Sequence, residues 1–380
     1  GSMKGPFLAQ AVNANVRSAA AFNALQGFLG IFGHFIMSRA SDRFSRITLV
    51  WLAHLASLTA NVTCVLFPDS LLPMLPGLFA QFFGILKALI SDYCVSMDAT
   101  VAESSHWISR LSLLQFAAVV AAPMVSGLVA TTMREINVIV LVLDVLITPV
   151  LCLLKEPDTK TVQEQWSCLR MLQVRTLRTP AGLWMLSWLF FLAIGYHTYN
   201  TIWMPSLGSR FGAAALEYGQ LQLCSGIGGM FGTAIAGSVI QRACTPHPTK
   251  LIFALTVTLC LSRAVMLKAP SFPAVLVGNF VLLMTIGIIN VVKPVIWMRF
   301  AHQDELGGVY GAQESVEGGI APMIGPIVAG VVTAYFSPDH VFCGLVVMWI
   351  SIIPFSYWGY WSCVMPTSAK LEAERRQKQA

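Results

Sequence analysis

Charge is scarce in this chain. Only 11% of its 380 residues are Asp, Glu, Lys or Arg, whereas 56% are hydrophobic, and the mean hydropathy is +0.69. A soluble protein of this length needs a polar surface that such a composition cannot supply, so most of the chain is expected in lipid. Reactive motifs are also missing. Cys64, Cys94, Cys152, Cys168, Cys224, Cys244, Cys260, Cys343 and Cys363 stand singly, without a CxxC pair or a His/Cys cluster at ligand spacing, which argues against structural zinc and a disulfide framework. No Walker loop, no GxGxxG after a strand, no HExxH and no GxSxG elbow occurs, so an enzyme, an ATP-driven machine, a bound cofactor and a metal are all unexpected. The net charge of +6 comes mainly from loop lysines and arginines, which is a mark of membrane topology and not of nucleic-acid binding.

What the chain does have is long apolar runs. Crossing a bilayer takes about 20 apolar residues in a helix, and eleven stretches qualify: roughly 19–38, 47–67, 71–92, 110–131, 135–154, 183–204, 217–240, 250–268, 272–294, 309–335 and 340–362. Counting loops alternately, one side carries sixteen basic residues, among them Arg39, Arg43, Arg46, Lys155, Arg178, Arg242 and Arg376. The other side carries five, Lys4, Arg17, Arg134, Arg210 and Lys268. The positive-inside rule places the richer side, and with it the C-terminus, in the cytoplasm. Polar residues 155–179 form the one long intervening segment.

An internal repeat organises these spans. GIFG at 30–33 parallels GMFG at 229–232, and the same offset of 199 sets Asp42-Arg43 over Gln241-Arg242. Residues 122–127 parallel 325–330 at an offset of 203. The chain therefore reads as two copies of one bundle. By the same offset the partner of 183–204 falls at about −16 to 5, so most of the first of twelve helices is expected upstream of this sequence.

Six plus six helices, a cytoplasmic central loop and a charged loop after the second helix together resemble the major facilitator superfamily of secondary transporters, and loosely its drug/proton antiporter branch. The resemblance covers Pro6 to about Met365. The superfamily's best-known motif, Gly-x-Leu-Ala-Asp-Arg-x-Gly-Arg-Arg, reads here Ser38-Arg39-Ala40-Ser41-Asp42-Arg43-Phe44-Ser45-Arg46-Ile47. Asp42, Arg43 and Arg46 fit, while serines replace both motif glycines. The resemblance implies that these three charges act as a conformational latch on the cytoplasmic side, favouring the outward-open state. Pro123 and Gly127 in helix five, with Gly319, Pro322, Gly325, Pro326 and Gly330 in helix eleven, resemble the antiporters' Gly-Pro packing motif; the antiporters' helix-four arginine has no counterpart in Leu78–Gly84. In the superfamily the first, fourth, seventh and tenth helices line the central cavity. That makes Gln81, Tyr196, His197, Tyr199, Asn200, Trp203 and Asn290 cavity candidates by resemblance.

Polar groups inside apolar spans are costly and read by default as functional. Asp144 lies mid-span and is either a proton site or a structural partner for another helix. Glu314 and Glu317, at i and i+3 on one helix face, are either a coupled proton pair or a wet structural feature near the cytoplasmic end. Lys87, Arg263 and Lys293 are the available cations, and Lys87 and Lys293 are near enough to cytoplasmic ends to snorkel.

The sequence thus predicts an all-α polytopic membrane protein of two pseudo-symmetric helical bundles. Its divisions are an N-terminal bundle 1–154, a central loop 155–179, a C-terminal bundle 180–365 and a cytoplasmic tail 366–380. The expected function is secondary transport of a small organic solute by alternating access, open to proton coupling, with the lipid bilayer, the solute and protons as partners and no nucleic acid. The alternative is a transport-inactive receptor or scaffold of the same fold.

Overall fold

The computed structural model describes residues 16–67, 74–80, 82–97, 99, 103–114, 116–117, 133–155, 174–213, 215–243, 249–336 and 338–379. They are almost wholly helical, and no strand occurs among them. In chain order the helices are α1 Val16–Ala40, α2 Arg46–Leu66, α3 Phe83–Ser96, α4 Met133–Leu151, α5 Pro180–Phe211, α6 Ala215–Ala243, α7 Thr249–Leu267, α8 Phe272–Phe300, α9 Leu306–Ser315, α10 Ala321–Tyr335, α11 Pro338–Gly359 and α12 Met365–Gln379. Residues 103–114 are helical as well. Single π-helical turns, Val316–Ile320 and Tyr360–Val364, join α9 to α10 and α11 to α12.

Among the described residues six helices are long and apolar enough to cross a membrane, and three shorter apolar helices lie at Phe28–Ala40, Asn137–Leu151 and Leu251–Leu267. All nine fall on predicted spans. Of the two remaining spans, 71–92 is not one continuous helix: Met74–Gly77 is a short helix followed by a turn, and α3 begins only at Phe83, while 110–131 begins in helix 103–114 and from residue 118 lies outside the described residues.

Local chemistry sets the ends of these helices. Ser45, a serine in place of a motif glycine, is the N-cap of α2, its hydroxyl accepting from the Thr48 N–H at 3.2 Å. Thr179 caps α5 in the same way, accepting from Gly182 N–H at 3.1 Å, and Pro180 follows where its missing N–H costs nothing. At the other end Gly212 turns out of α5 with φ 65°, a left-handed conformation that glycine enters without a Cβ clash.

The described residues cluster into two compact units. One is drawn from Gly1–Asp98, Ala121–Val174 and His302–Met323, the other from Ala99–Val120, Arg175–Ala301 and Ile324–Ala380. In the first unit Met37 and Ala40 of α1, Leu49, Val50 and Ala53 of α2, Ile85 of α3 and Leu151 of α4 form a buried apolar cluster. The outer face of α4 exposes Val142, Leu143, Val145, Leu146, Ile147 and Val150, as a lipid-facing helix does. In the second unit α6 and α8 pack closely: a Cβ on Gly287 would stand 2.5 Å from the Gly229 carbonyl oxygen and 3.0 Å from the Thr233 nitrogen. Asn279 of α8 donates to the Ser225 hydroxyl of α6 at 2.7 Å. Lipid tails are as apolar as leucine, so close backbone approach and interhelical hydrogen bonds, not the hydrophobic effect, hold such pairs together.

Candidate functional site

The site is built on the turn between α1 and α2, in the first unit. Three basic groups and one carboxylate meet there because α1 ends at Ala40 and α2 begins at Arg46, and the short turn between them is flanked by Arg39 and Arg46 and carries Asp42 and Arg43. The Asp42 side chain is 1% exposed. Its Oδ1 accepts from the Gly307 N–H at 2.6 Å and its Oδ2 from the Gly308 N–H at 2.7 Å. Gly307 and Gly308 belong to the first turn of α9. The N–H groups of a helix's first turn have no intrahelical acceptor and carry the positive end of the helix dipole, so a carboxylate is the complementary partner. Arg39 Nη1 donates to Oδ2 at 2.9 Å, and Arg46 Nη1 lies 3.6 Å from Oδ1. Burial pushes the Asp42 carboxyl up from its ordinary value, while Arg46, Arg39 and the Gly308 N–H pull against that shift.

Arg46 fixes the turn to a third helix. Its Nε and Nη2 donate to the two oxygens of Asp92 on α3, the latter at 3.2 Å, and its Nη1 donates to the Ser41 hydroxyl at 3.0 Å. This two-point geometry is one that arginine makes and lysine does not. Arg43 is half-buried in the same turn. The loss of the first motif glycine is compensated on the facing helix. A Cβ on Gly311 would stand 2.7 Å from Ser38 Cβ and 3.0 Å from the His34 carbonyl oxygen, so glycine on α9, and not in the motif, permits the approach.

One turn further along α9 a second polar layer forms. Lys87 of α3 is 9% exposed and ion-pairs with Glu314, so it is not the snorkelling lysine its place in the sequence suggests. Ser91 of α3 and the Tyr310 hydroxyl lie 3.0 Å apart. His34 of α1 lies within the electrostatic reach of both Glu314 and Lys87. Glu317 accepts from Gln313 Nε2 at 3.1 Å and stands in the π-helical turn Val316–Ile320. Glu314 and Glu317 therefore have different hydrogen-bonding partners, although both act on Lys87.

Asp144 of α4 is held by neutral donors from α2: Ser57 Oγ and Asn61 Nδ2 both donate to its Oδ2 at 2.7 Å. One helical turn away, His54 Nε2 and the Thr148 hydroxyl are 2.8 Å apart. In the second unit Tyr196, His197, Tyr199, Asn200 and Trp203 all lie on α5, with Tyr199 and Trp203 buried and the other three half-buried. Gly325 meets this segment: Thr198 Oγ1 donates to its carbonyl at 3.2 Å, and a Cβ there would stand 2.6 Å from His197 Cβ. Pro326 and Asn290 are half-buried and Gly330 is exposed. Gln81, Pro123 and Gly127 lie outside the described residues.

Sequence reading missed Asp92, Gly307, Gly308 and the role of Arg39. The available signals were an acidic residue at the end of span 71–92 and a Gly-Gly pair directly before span 309–335. Neither pattern is specific until a partner is known.

Solved structures of transporters share this fold. The human organic anion transporter MFSD10 (TETRAN) superposes with a TM-score of 0.73 at 15% identity, covering 94% of this chain and 89% of its own. A bacterial homologue of the iron transporter ferroportin, in an outward-facing state, gives 0.69 at 16% identity, covering 96% and 94%. No curated protein sequence is significantly similar to the chain. The sequence profile described as Major Facilitator Superfamily matches residues 1–318, and the chain, a multi-pass integral membrane protein of transporter and not enzyme fold, belongs to the major facilitator superfamily.

Proposed function

We propose that the protein is a secondary transporter that carries a small organic solute by alternating access. The observation that carries this reading is the seating of the Asp42 carboxylate on the Gly307 and Gly308 N–H groups. Two charge-assisted bonds from one buried carboxylate to a helix N-terminus make a contact that can be formed or broken as a unit, and alternating access needs such a two-state element. Arg39, Arg43 and Arg46 set its strength. Residues 1–154 and 180–365 act as the two bundles that rock about a midplane cavity, joined by the cytoplasmic loop 155–179 and followed by the cytoplasmic tail 366–380. Tyr196, His197, Asn200, Trp203 and Asn290 line the solute path.

We assign proton coupling to Asp144, a mid-span carboxylate that among the described residues is held by a neutral hydroxyl and a neutral amide donor; Glu314 and Glu317, tied to the Lys87 layer, are the second candidates. Reconstitution of the full chain into proteoliposomes tests the reading. The expected result is saturable uptake of at least one solute from a broad organic panel, with Asp42→Asn lowering the initial rate at least tenfold. Absence of flux for every solute, with the protein folded and binding a protein partner, would establish the receptor or scaffold instead.

A further inference from the structure

In the second unit a cation is buried with no anion paired to it among the described residues. Arg263 of α7 is 1% exposed. It forms no ion pair among the described residues, and its Nε and Nη1 meet no protein acceptor. Its guanidinium carbon stands 4.8 Å from the ring centre of Trp349 on α11, and 5.6 Å and 5.9 Å from those of Tyr196 and Tyr199 on α5. The other titratable group acting on it is Cys260; thiols and phenols are ordinarily neutral at pH 7. Aromatic faces attract a guanidinium but accept none of its N–H bonds in the plane.

The same cluster holds further unmet donors. Trp349 Nε1 and Trp203 Nε1 are buried with no acceptor among the described residues. Trp203 stacks on Tyr199 at 5.3 Å, and Tyr199 meets Trp349 edge-on at 5.5 Å. Four buried N–H bearing atoms on three side chains, one of them charged, thus belong to residues that all pack on the Tyr199 ring, and none of the four meets a hydrogen-bond acceptor among the described residues. Burying a charge in a membrane span without a partner is costly, as is leaving a buried donor unmet. An incoming anion removes both costs at once.

We propose that Arg263, Trp349 and Trp203 form a binding site for the anionic head of an organic solute, a carboxylate whose apolar body lies against Tyr196 and Tyr199. A carboxylate brings about four lone-pair positions, enough to accept from the guanidinium and the indoles together. The aromatic walls favour an organic anion over a halide, because a halide offers them no apolar surface. This assignment rests on the transporter reading and adds to it the class of solute.

Calorimetric titration of benzoate into the purified full chain in chloride-free buffer is the test. Saturable binding is expected, weakened at least tenfold in Arg263→Gln and about threefold in Trp349→Phe, which keeps an aromatic face and removes the donor together with the five-membered ring. Equal benzoate affinity in a folded Arg263→Gln protein overturns the site, and so does the absence of binding to the unaltered chain. If Arg263→Gln does not fold, Trp349→Phe and Trp203→Phe decide, and unchanged affinity in both overturns it. Chloride that binds as tightly as benzoate and displaces it would mark a halide site and overturn the organic head. Solute flux that survives in Arg263→Gln, without benzoate binding, overturns this inference and leaves the transporter reading standing. Arg263-dependent benzoate binding without flux of any solute supports the site and removes the transporter reading.

Discussion

At the scale of single residues, Asp42 and Asp144 are both carboxylates with two or more donors, yet they differ in the charge of those donors. Asp42 faces two arginines and a helix N-terminus, so its neutral amide variant loses charge-assisted bonds worth about 1.5–3 kcal/mol each. Asp42→Asn is therefore expected to speed hydrogen exchange of the Gly307 and Gly308 amides by about 10-fold to 100-fold, measured by mass spectrometry on the peptide 303–315; unchanged exchange would show that the carboxylate does not hold the helix end. Asp144 faces a serine and an asparagine. Asp144→Asn keeps a carbonyl acceptor for one of them, so folding survives while any proton that Asp144 carries is lost. The expected outcome is uptake that no longer varies with pH, and a variant that retains the full pH profile would take Asp144 out of the coupling.

Among elements, α9 is the one on which the first unit's polar contacts converge. It offers glycine at 307, 308 and 311 to the turn after α1, Tyr310 to Ser91, and Glu314 to Lys87. Gly311→Ala puts a Cβ 2.7 Å from Ser38 Cβ, and overpacking of this kind costs about 1–3 kcal/mol; the melting temperature should fall, and pairing it with Ser38→Gly should restore most of the loss. The side chains of the Lys87–Glu314 pair are 11% and 15% exposed. Removing one partner of a buried pair costs about 3–5 kcal/mol because the other charge is stranded, whereas removing both together costs far less. Lys87→Met should thus be more destabilising than Lys87→Met combined with Glu314→Leu, read by thermal unfolding in detergent. Additive losses in that cycle would mean the two side chains do not interact.

Within the whole molecule, the repeat and the hydropathy pattern led from sequence to fold without reference to any particular contact. Each apolar run near 20 residues declares itself locally, and every one of the nine apolar helices among the described residues falls on a predicted span. The candidate site was legible only in part. Asp42, Arg43 and Arg46 stood out because charge is scarce, but what the two motif serines do was not legible. Ser45 caps α2, and the close approach lost at Ser38 is restored by Gly311. In proteoliposomes the full chain should give saturable solute uptake that Asp42→Asn slows at least tenfold, because the latch proposed above would bias a whole-molecule equilibrium and not the local fold alone.

By itself the sequence determined the helical, membrane-embedded class of the protein, the order of its spans and the turn where its charges gather. These depend on hydropathy, periodicity and capping, which act over a few residues. Only the tertiary structure decided partners: Asp42 with Gly307 across 265 residues, Lys87 with Glu314 across 227, and Arg263 with aromatic rings on two other helices. A carboxylate or guanidinium in an apolar span must find compensation somewhere. Where it does so depends on which helices pack side by side, and no local pattern in the chain encodes that choice.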